Sequence, residues 1–227
     1  MKKIIIFSVL VFSFGCKQTS DNSEQKWQTI EVYDYLFDFP PDFKLVKEQG
    51  IDSNPGQIIG DSMRFGFDFG YYSNSFGKTP QEFLDYGYWK SAAEYLFMKE
   101  GITYDHTNRP KVDVLNIRPA TSSDSTLGQG CDYVAKCIHE KKEFEFPIWI
   151  DESIKKLNFE IDTVDHYYRK IVYSKDPQNG MTGIYIRDLN SFDSTINSYK
   201  ALSMGSNKLT KLQQDLALKI FKTGRHK

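Results

Sequence analysis

Residues 64–72, RFGFDFGYY, place an aromatic side chain at every second position from Phe65 to Tyr71. A period of two is the repeat of a β-strand, because successive side chains point to opposite faces. Only one face of this segment can enter an apolar core. The other carries Arg64, Gly66, Asp68 and Gly70. The same alternation runs through Tyr33, Tyr35, Phe37 and Phe39, and ends at Pro40 and Pro41. Further strand-like runs follow: DFKLVKEQGI and GQIIGDSMRFGFDFGYY around the turn DSNPG, then KVDVLNI, KKLNFEI, YYRKIVYS and MTGIYIRDL. CDYVAKCIHEKKEFEFPIWI predicts a hairpin turning at Glu140–Glu143, and KDPQNG a turn between two strands. The polar stretch RPATSSDSTLGQG predicts a long mobile loop. Such a chain is committed to a large, mainly antiparallel sheet. Its 14 Tyr and 17 Phe fit strands, which favour aromatic residues.

Two segments depart from that period. TPQEFLDYGYWKSAAEYLFMKEG predicts a helix over 79–100, with Thr79 as N-cap, Pro80 at the first helical position and Glu82 closing a capping box. Leu84, Tyr88, Ala92 and Tyr95 form its expected buried stripe, Gly87 weakens its middle, and Gly101 stops it. TKLQQDLALKIFKTG predicts a closing helix capped by Thr210 and Gln213, with Leu212, Leu216 and Ile220 buried. The expected fold is α+β: one domain over 27–227, an antiparallel sheet with two amphipathic helices packed on it.

The N-terminus has a different chemistry. Lys2 and Lys3 precede the mostly apolar run Ile4–Phe14, whose eleven residues rise roughly 16 Å as a helix, about half a bilayer core. The run has the length and flanks of a secretory signal over 1–15. SFGC then resembles the lipobox of bacterial lipoproteins, with Ser13 where Leu is usual and the small Gly15 before Cys16. The resemblance implies cleavage before Cys16 and lipidation of its thiol. The alternative is an ordinary signal peptide that happens to contain a cysteine. Two or more acyl chains anchor stably, at ~0.8 kcal/mol per buried methylene. KQTSDNSEQK, after the cysteine, has no apolar residue and reads as a solvated tether over 16–26. Lys17 stands where Asp signals inner-membrane retention, so the sorting rule points to an outer-membrane address in the cell envelope.

YLFDFPPDFKLV and the closing order GIYIRDL, strand, helix ending KIFKTG are similar to PsbP-like domains. The resemblance implies a sheet sandwiched by helices and used for docking to membrane protein complexes, with no catalytic residue to carry over.

Composition narrows the function further. Removing residues 1–15 leaves 212 residues, enough for a core of ordinary size. The 29 basic residues less Lys2 and Lys3 leave 27 against 30 acidic, or −3. That is no footprint for nucleic acid, which needs a clustered basic excess. Cys131 and Cys137 lie roughly 20 Å apart along a strand, too far for a disulfide, and lack zinc-site spacing. GDSM at 60–63 resembles GDSL-type hydrolases, yet no histidine has an Asp three residues before it, and the alternation would put Ser62 inside a strand. DFG at 68–70 lacks the phosphate loop of a kinase. Asp162, Asp165 and His166 read as a turn rather than a metal site. No metal, cofactor or catalytic residue is expected.

On the glycine face of 64–70, the long helix is expected to pack against Gly66 and Gly70. Failing that, Asp68 is the candidate partner or ligand contact. The functional expectation is a lipid-anchored envelope protein displaying a non-catalytic binding or assembly-support domain for an envelope protein. Its rivals are a hydrolase with a site assembled from distant residues and an inhibitor or immunity-type protein. Cys16→Ser removes the lipidation nucleophile. Acyl labelling of the variant should vanish and detergent-phase partitioning should fall; unchanged labelling would refute the lipid anchor.

Overall fold

The computed structural model describes residues 26–227. The expected signal sequence, Cys16 and the expected tether up to residue 25 lie outside the described residues. The first hairpin pairs β1 (Gln28–Val32) with β2 (Tyr35–Phe39). Tyr33 therefore does not begin the strand. It occupies the two-residue turn with φ of 55°, and Val32 pairs with Tyr35. β3 (Lys44–Lys47), β4 (Asn54–Ile59) and β5 (Arg64–Gly70) follow. GDSM forms the β4–β5 turn, closed by a 2.9 Å hydrogen bond from Gly60 N–H to Met63 O. Ser62 is thus exposed on a turn, contrary to the strand expected there. The burial phase changes at this point, from Gly56 and Ile58 before the turn to Met63 and Phe65 after it.

The helix expected over 79–100 is two short helices, α1 (Pro80–Tyr86) and α2 (Lys90–Tyr95). Thr79 and Glu82 form the expected capping box. Gly87 then adopts the left-handed conformation, φ 66°, and ends α1 instead of merely weakening it. This resets the helical phase. Leu84, Trp89 and Ala93 are buried, whereas Tyr88, Ala92 and Tyr95 face outward. Next come β6 (Asp113–Pro119), β7 (Tyr133–His139) and β8 (Lys142–Ile148). The β7–β8 turn needs only Glu140 and Lys141, both at positive φ. The polar loop before β7 is braced rather than loose. Ser122–Thr126 forms a 3₁₀ turn with a Thr121–Asp124 capping box, and Arg118 grips Asp124 through two 2.8 Å bonds. That grip holds the Asp124 carboxyl well below its ordinary pKa.

The chain continues through α3 (Glu152–Lys155), β9 (Leu157–Val164), β10 (Tyr167–Ser174), β11 (Met181–Asp188), β12 (Ala201–Asn207), α4 (Lys211–Lys222) and the two-residue β13 (Arg225–His226). The α+β class stands, and strand predominates. A seven-stranded antiparallel sheet runs β3-β4-β5-β12-β11-β10-β9, flanked by three-stranded sheets β1-β2-β13 and β6-β7-β8. Cys131 and Cys137 are both free.

Two cores result. In the first, Phe65, Phe67, Phe69, Ile184, Ile186, Leu202 and Met204 on one face of the large sheet meet Val32, Phe37 and Phe39 of the first hairpin and Ala217, Ile220 and Phe221 of α4. Leu212, expected in that stripe, is 83% exposed; Gln214 is buried in its stead and donates to Ser174 O at 3.0 Å. In the second, Leu84, Trp89 and Ala93 cover Ala135, Cys137 and Ile148 of the β6-β7-β8 sheet.

The helices therefore do not lie on Gly66 and Gly70. A β-carbon built on Gly66 would meet nothing within 4 Å. Close approach happens on the next two strands, where the ring of Phe76 rests on Gly205 of β12, the cross-strand partner of Gly66, and on Gly183 of β11. A β-carbon on Gly205 would stand 3.0 Å from that ring and 3.0 Å from Thr182 O, which is backbone and cannot yield. Gly205→Ala should cost ~1–3 kcal/mol, lowering Tm by roughly 2–4 °C per kcal/mol. Gly66→Ala should leave Tm unchanged or slightly raised. Thermal melts of both compare them directly, and equal destabilisation would misplace the contact.

Candidate functional site

Alternation places Tyr168 and Lys170 of β10, Tyr185 and Arg187 of β11, Ala201 and Ser203 of β12, and Gly66, Asp68 and Gly70 of β5 on the face away from the first core. Part of this face, the start of α1 and the segments 73–78 and 192–199 enclose a cavity of about 460 Å³. Its size falls within the usual range of small-molecule sites.

The cavity wall rests on a buried ion pair. Lys170 is 1% exposed, and its Nζ donates to both Glu82 oxygens, at 2.9 and 3.1 Å, and to Gly77 O at 2.9 Å. Glu82 also accepts the Thr79 N–H at 2.7 Å and the Tyr168 hydroxyl at 3.3 Å. Burial draws the Lys170 pKa down against the opposing pull of Glu82. Burial pushes Glu82 up, but the Thr79 N–H, Lys170 and Tyr168 outweigh it, and its pKa lies below its ordinary value. Tyr168 is pushed up to about 12 by burial and by the adjacent Glu82 charge. The one acid lining the cavity is therefore already neutralised.

Two cations in the lining have no such partner. The Arg187 guanidinium lies 4.8 Å from the ring centroids of both Tyr168 and Tyr199. Its Nε is buried without a hydrogen-bond partner. Among the described residues no carboxylate stands within 4.0 Å of it. Lys78 holds its ammonium 4.3 and 4.0 Å from the rings of Tyr86 and Tyr88, which stack on each other. The segment carrying Tyr199 is itself secured: Ser198 Oγ donates to Tyr71 O at 2.6 Å, and the Phe192 and Tyr199 rings pack at 4.9 Å. An aromatic-clamped guanidinium facing a cavity is the chemistry of carboxylate or phosphate recognition. The lining contains three serines but no histidine or cysteine.

Asp68, the residue singled out from sequence, does not pack under a helix. It shares a cross-strand row with Ser203, Tyr185 and Lys170, and its Oδ1 is buried without a hydrogen-bond partner. Ser73, in the cavity lining, donates to its backbone oxygen at 3.1 Å. Asp162, Asp165 and His166 are not gathered on a helix: Asp162 pairs with Arg169, and Asp165 turns the β9–β10 hairpin at φ 55°. No hydrogen bond among the described residues joins Ser62 to a histidine; Gln213 instead donates to its carbonyl at 2.5 Å. Asp165 and His226 line a separate cavity of about 200 Å³ with Tyr35 and Tyr167. Sequence reasoning missed Arg187, Lys170, Tyr168 and Tyr199. The available signals were Glu82, already placed in a cap, and Arg187 within GIYIRDL. No protein-family model matches the chain, and no curated protein matches it.

Glu82→Gln leaves a buried ammonium facing a neutral amide and should cost ~3 kcal/mol, the lower end for a broken buried pair because Glu82 keeps some solvent access. Lys170→Met should cost less, since water can still reach Glu82. Glu82 has a lower pKa folded than unfolded, so its contribution is present above ~4.3 and is lost as pH falls through the folded value. Denaturant melts of the two variants between pH 3 and 7 check both the order and the window.

Proposed function

We propose that the chain is a lipid-tethered cell-envelope protein, anchored through Cys16 and addressed to the outer membrane. Its domain holds a small oxyanion-bearing ligand and performs no chemistry on it. The observation that carries this reading is Arg187: a guanidinium clamped by two tyrosine rings, facing a cavity with no acid of its own to pair with. Leaving a buried charge-bearing donor unmade costs more than a made bond contributes. A carboxylate or phosphate entering the cavity would accept from the terminal Nη groups of the guanidinium, which donate to no protein acceptor among the described residues. The likeness to PsbP-like domains, whose use is docking rather than catalysis, agrees with a binding role. A hydrolase would need a nucleophile and base side by side, and the cavity lining offers serines without a histidine.

The test is thermal melting of the full chain in detergent with a panel of small carboxylates and their uncharged amides. A ligand present at one hundred times its Kd stabilises by about 2.7 kcal/mol, roughly 5–10 °C here. Carboxylates should raise Tm and amides should not. Arg187→Gln removes a charged hydrogen bond worth about 1.5–3 kcal/mol, so affinity should fall roughly 10- to 100-fold. A shift that survives Arg187→Gln would overturn the reading.

A further inference from the structure

We infer that the ligand is an acidic sugar, a hydroxyl-rich ring carrying one carboxylate or phosphate. Its acid sits on the Nη groups of Arg187, and its hydroxyls meet Tyr185, Ser75 and Asn197. This inference rests on the reading of the cavity as an oxyanion site. Tyr185 carries it. The residue is 9% exposed and lines the cavity, yet its hydroxyl has no hydrogen-bond partner among the described residues. Among those residues only Asp68 Oδ1 and Arg187 Nε are sealed away without a partner, so the Tyr185 hydroxyl opens on the cavity. Burial raises its pKa against the opposing pull of Arg187, so it stays protonated and can donate. Arg187 follows two residues later on the same face of β11, about 7 Å along the strand. A charged donor and a neutral one therefore stand side by side, within reach of one ring and its acid. The Ser75 hydroxyl and the Asn197 amide also line the cavity and bond to no protein group among the described residues.

These neutral groups select among oxyanions. An apolar body would take them out of water and give them no partner, which costs free energy at each. A body bearing hydroxyls answers them all, because a hydroxyl both donates and accepts. The rings of Tyr86, Tyr168, Phe192 and Tyr199 favour the same class. One face of a sugar ring presents C–H bonds, slightly positive at hydrogen, and these suit the negative face of an aromatic ring. A neutral sugar would leave the Arg187 charge without an acceptor. Lys78, which lines this cavity and the adjoining cleft, adds a second positive charge that draws an anion in.

Isothermal titration of the full chain in detergent separates the possibilities. The probes are D-galacturonate, D-glucuronate and D-glucose 6-phosphate, the neutral parents D-galactose and D-glucose, and cyclohexanecarboxylate, a ring with an acid and no hydroxyl. At least one acidic sugar should bind tenfold or more tighter than its neutral parent and than cyclohexanecarboxylate. Uronates leading would make the acid a carboxylate, and the phosphate leading would make it a phosphate; both support the inference. Because these ratios are read on the unaltered chain, they stand whether or not a variant folds. Tyr185→Phe keeps the ring and removes the hydroxyl. Asn197→Gly removes the amide at φ 51°, a conformation glycine accepts. Each should weaken the acidic sugar about tenfold and leave cyclohexanecarboxylate unchanged; an affinity that survives both refutes the inference. If cyclohexanecarboxylate binds as tightly as the acidic sugars, and through Arg187, the sugar inference falls and the oxyanion reading stands. Neutral sugars binding as tightly as the acidic ones, or no binding by any probe, overturns both.

Discussion

The Lys170–Glu82 pair sets the terms for everything above the polar face of the large sheet. A lysine ammonium taken out of water at 1% exposure must be compensated by acceptors held in place. Three acceptor atoms do this, two from Glu82 and one from the Gly77 carbonyl. Glu82 is also the capping-box residue of α1, so a local helix-start device becomes a long-range clamp 88 residues from its partner in sequence. Gly77 belongs to the segment that carries Phe76, and fixing its carbonyl fixes that ring over Gly183 and Gly205. Tyr168 donates to the same carboxylate and thereby offers its ring to Arg187. One buried charge thus orients a helix, a loop and the aromatic clamp.

The two faces of the sheet divide the labour. The first core consumes the apolar alternates of β4, β5, β11 and β12 and covers them with a hairpin and α4. The opposite face keeps small residues, tyrosines and charges, and its cover is only partial. The second core gathers α1, α2 and the β6-β7-β8 sheet, and Glu82 and Tyr86 of α1 line the cavity over that face. Stability is concentrated where apolar area is buried. The cavity lining holds Arg187 and Lys78, two cations that no carboxylate among the described residues pairs with, and convergent polar groups in a cleft of this size are where a ligand binds.

Strand content, hairpins and helix caps were legible in the sequence because each is decided within a few residues. Thr79 with Glu82 and Thr210 with Gln213 form their boxes over three positions. Glu140 and Lys141 close a two-residue turn at the predicted place. Local errors came where a short signal was read too weakly. Gly87 ends a helix instead of denting it, and the burial phase shift between Ile58 and Met63 marks a turn at Ser62. Asp68 was singled out by its glycine neighbours, and its face was right. Its cover was not, because the helix found a second core that the alternation of the first could not announce.

The sequence by itself determined which side chains share a face: Asp68 with Gly66 and Gly70, Lys170 with Tyr168, Arg187 with Tyr185. Period-two geometry makes that a property of neighbouring residues. Only the tertiary structure decided what each face meets. The strand order β5-β12-β11-β10 brings Asp68, Arg187 and Lys170 to one side of one sheet from positions far apart in the chain. Whether a charge there is answered depends on which distant group comes within hydrogen-bonding reach. Glu82 reaches Lys170, and among the described residues no acid reaches Arg187. That difference, between a pair that holds the fold and a charge left facing a cavity, arises from distances between residues that only folding brings together.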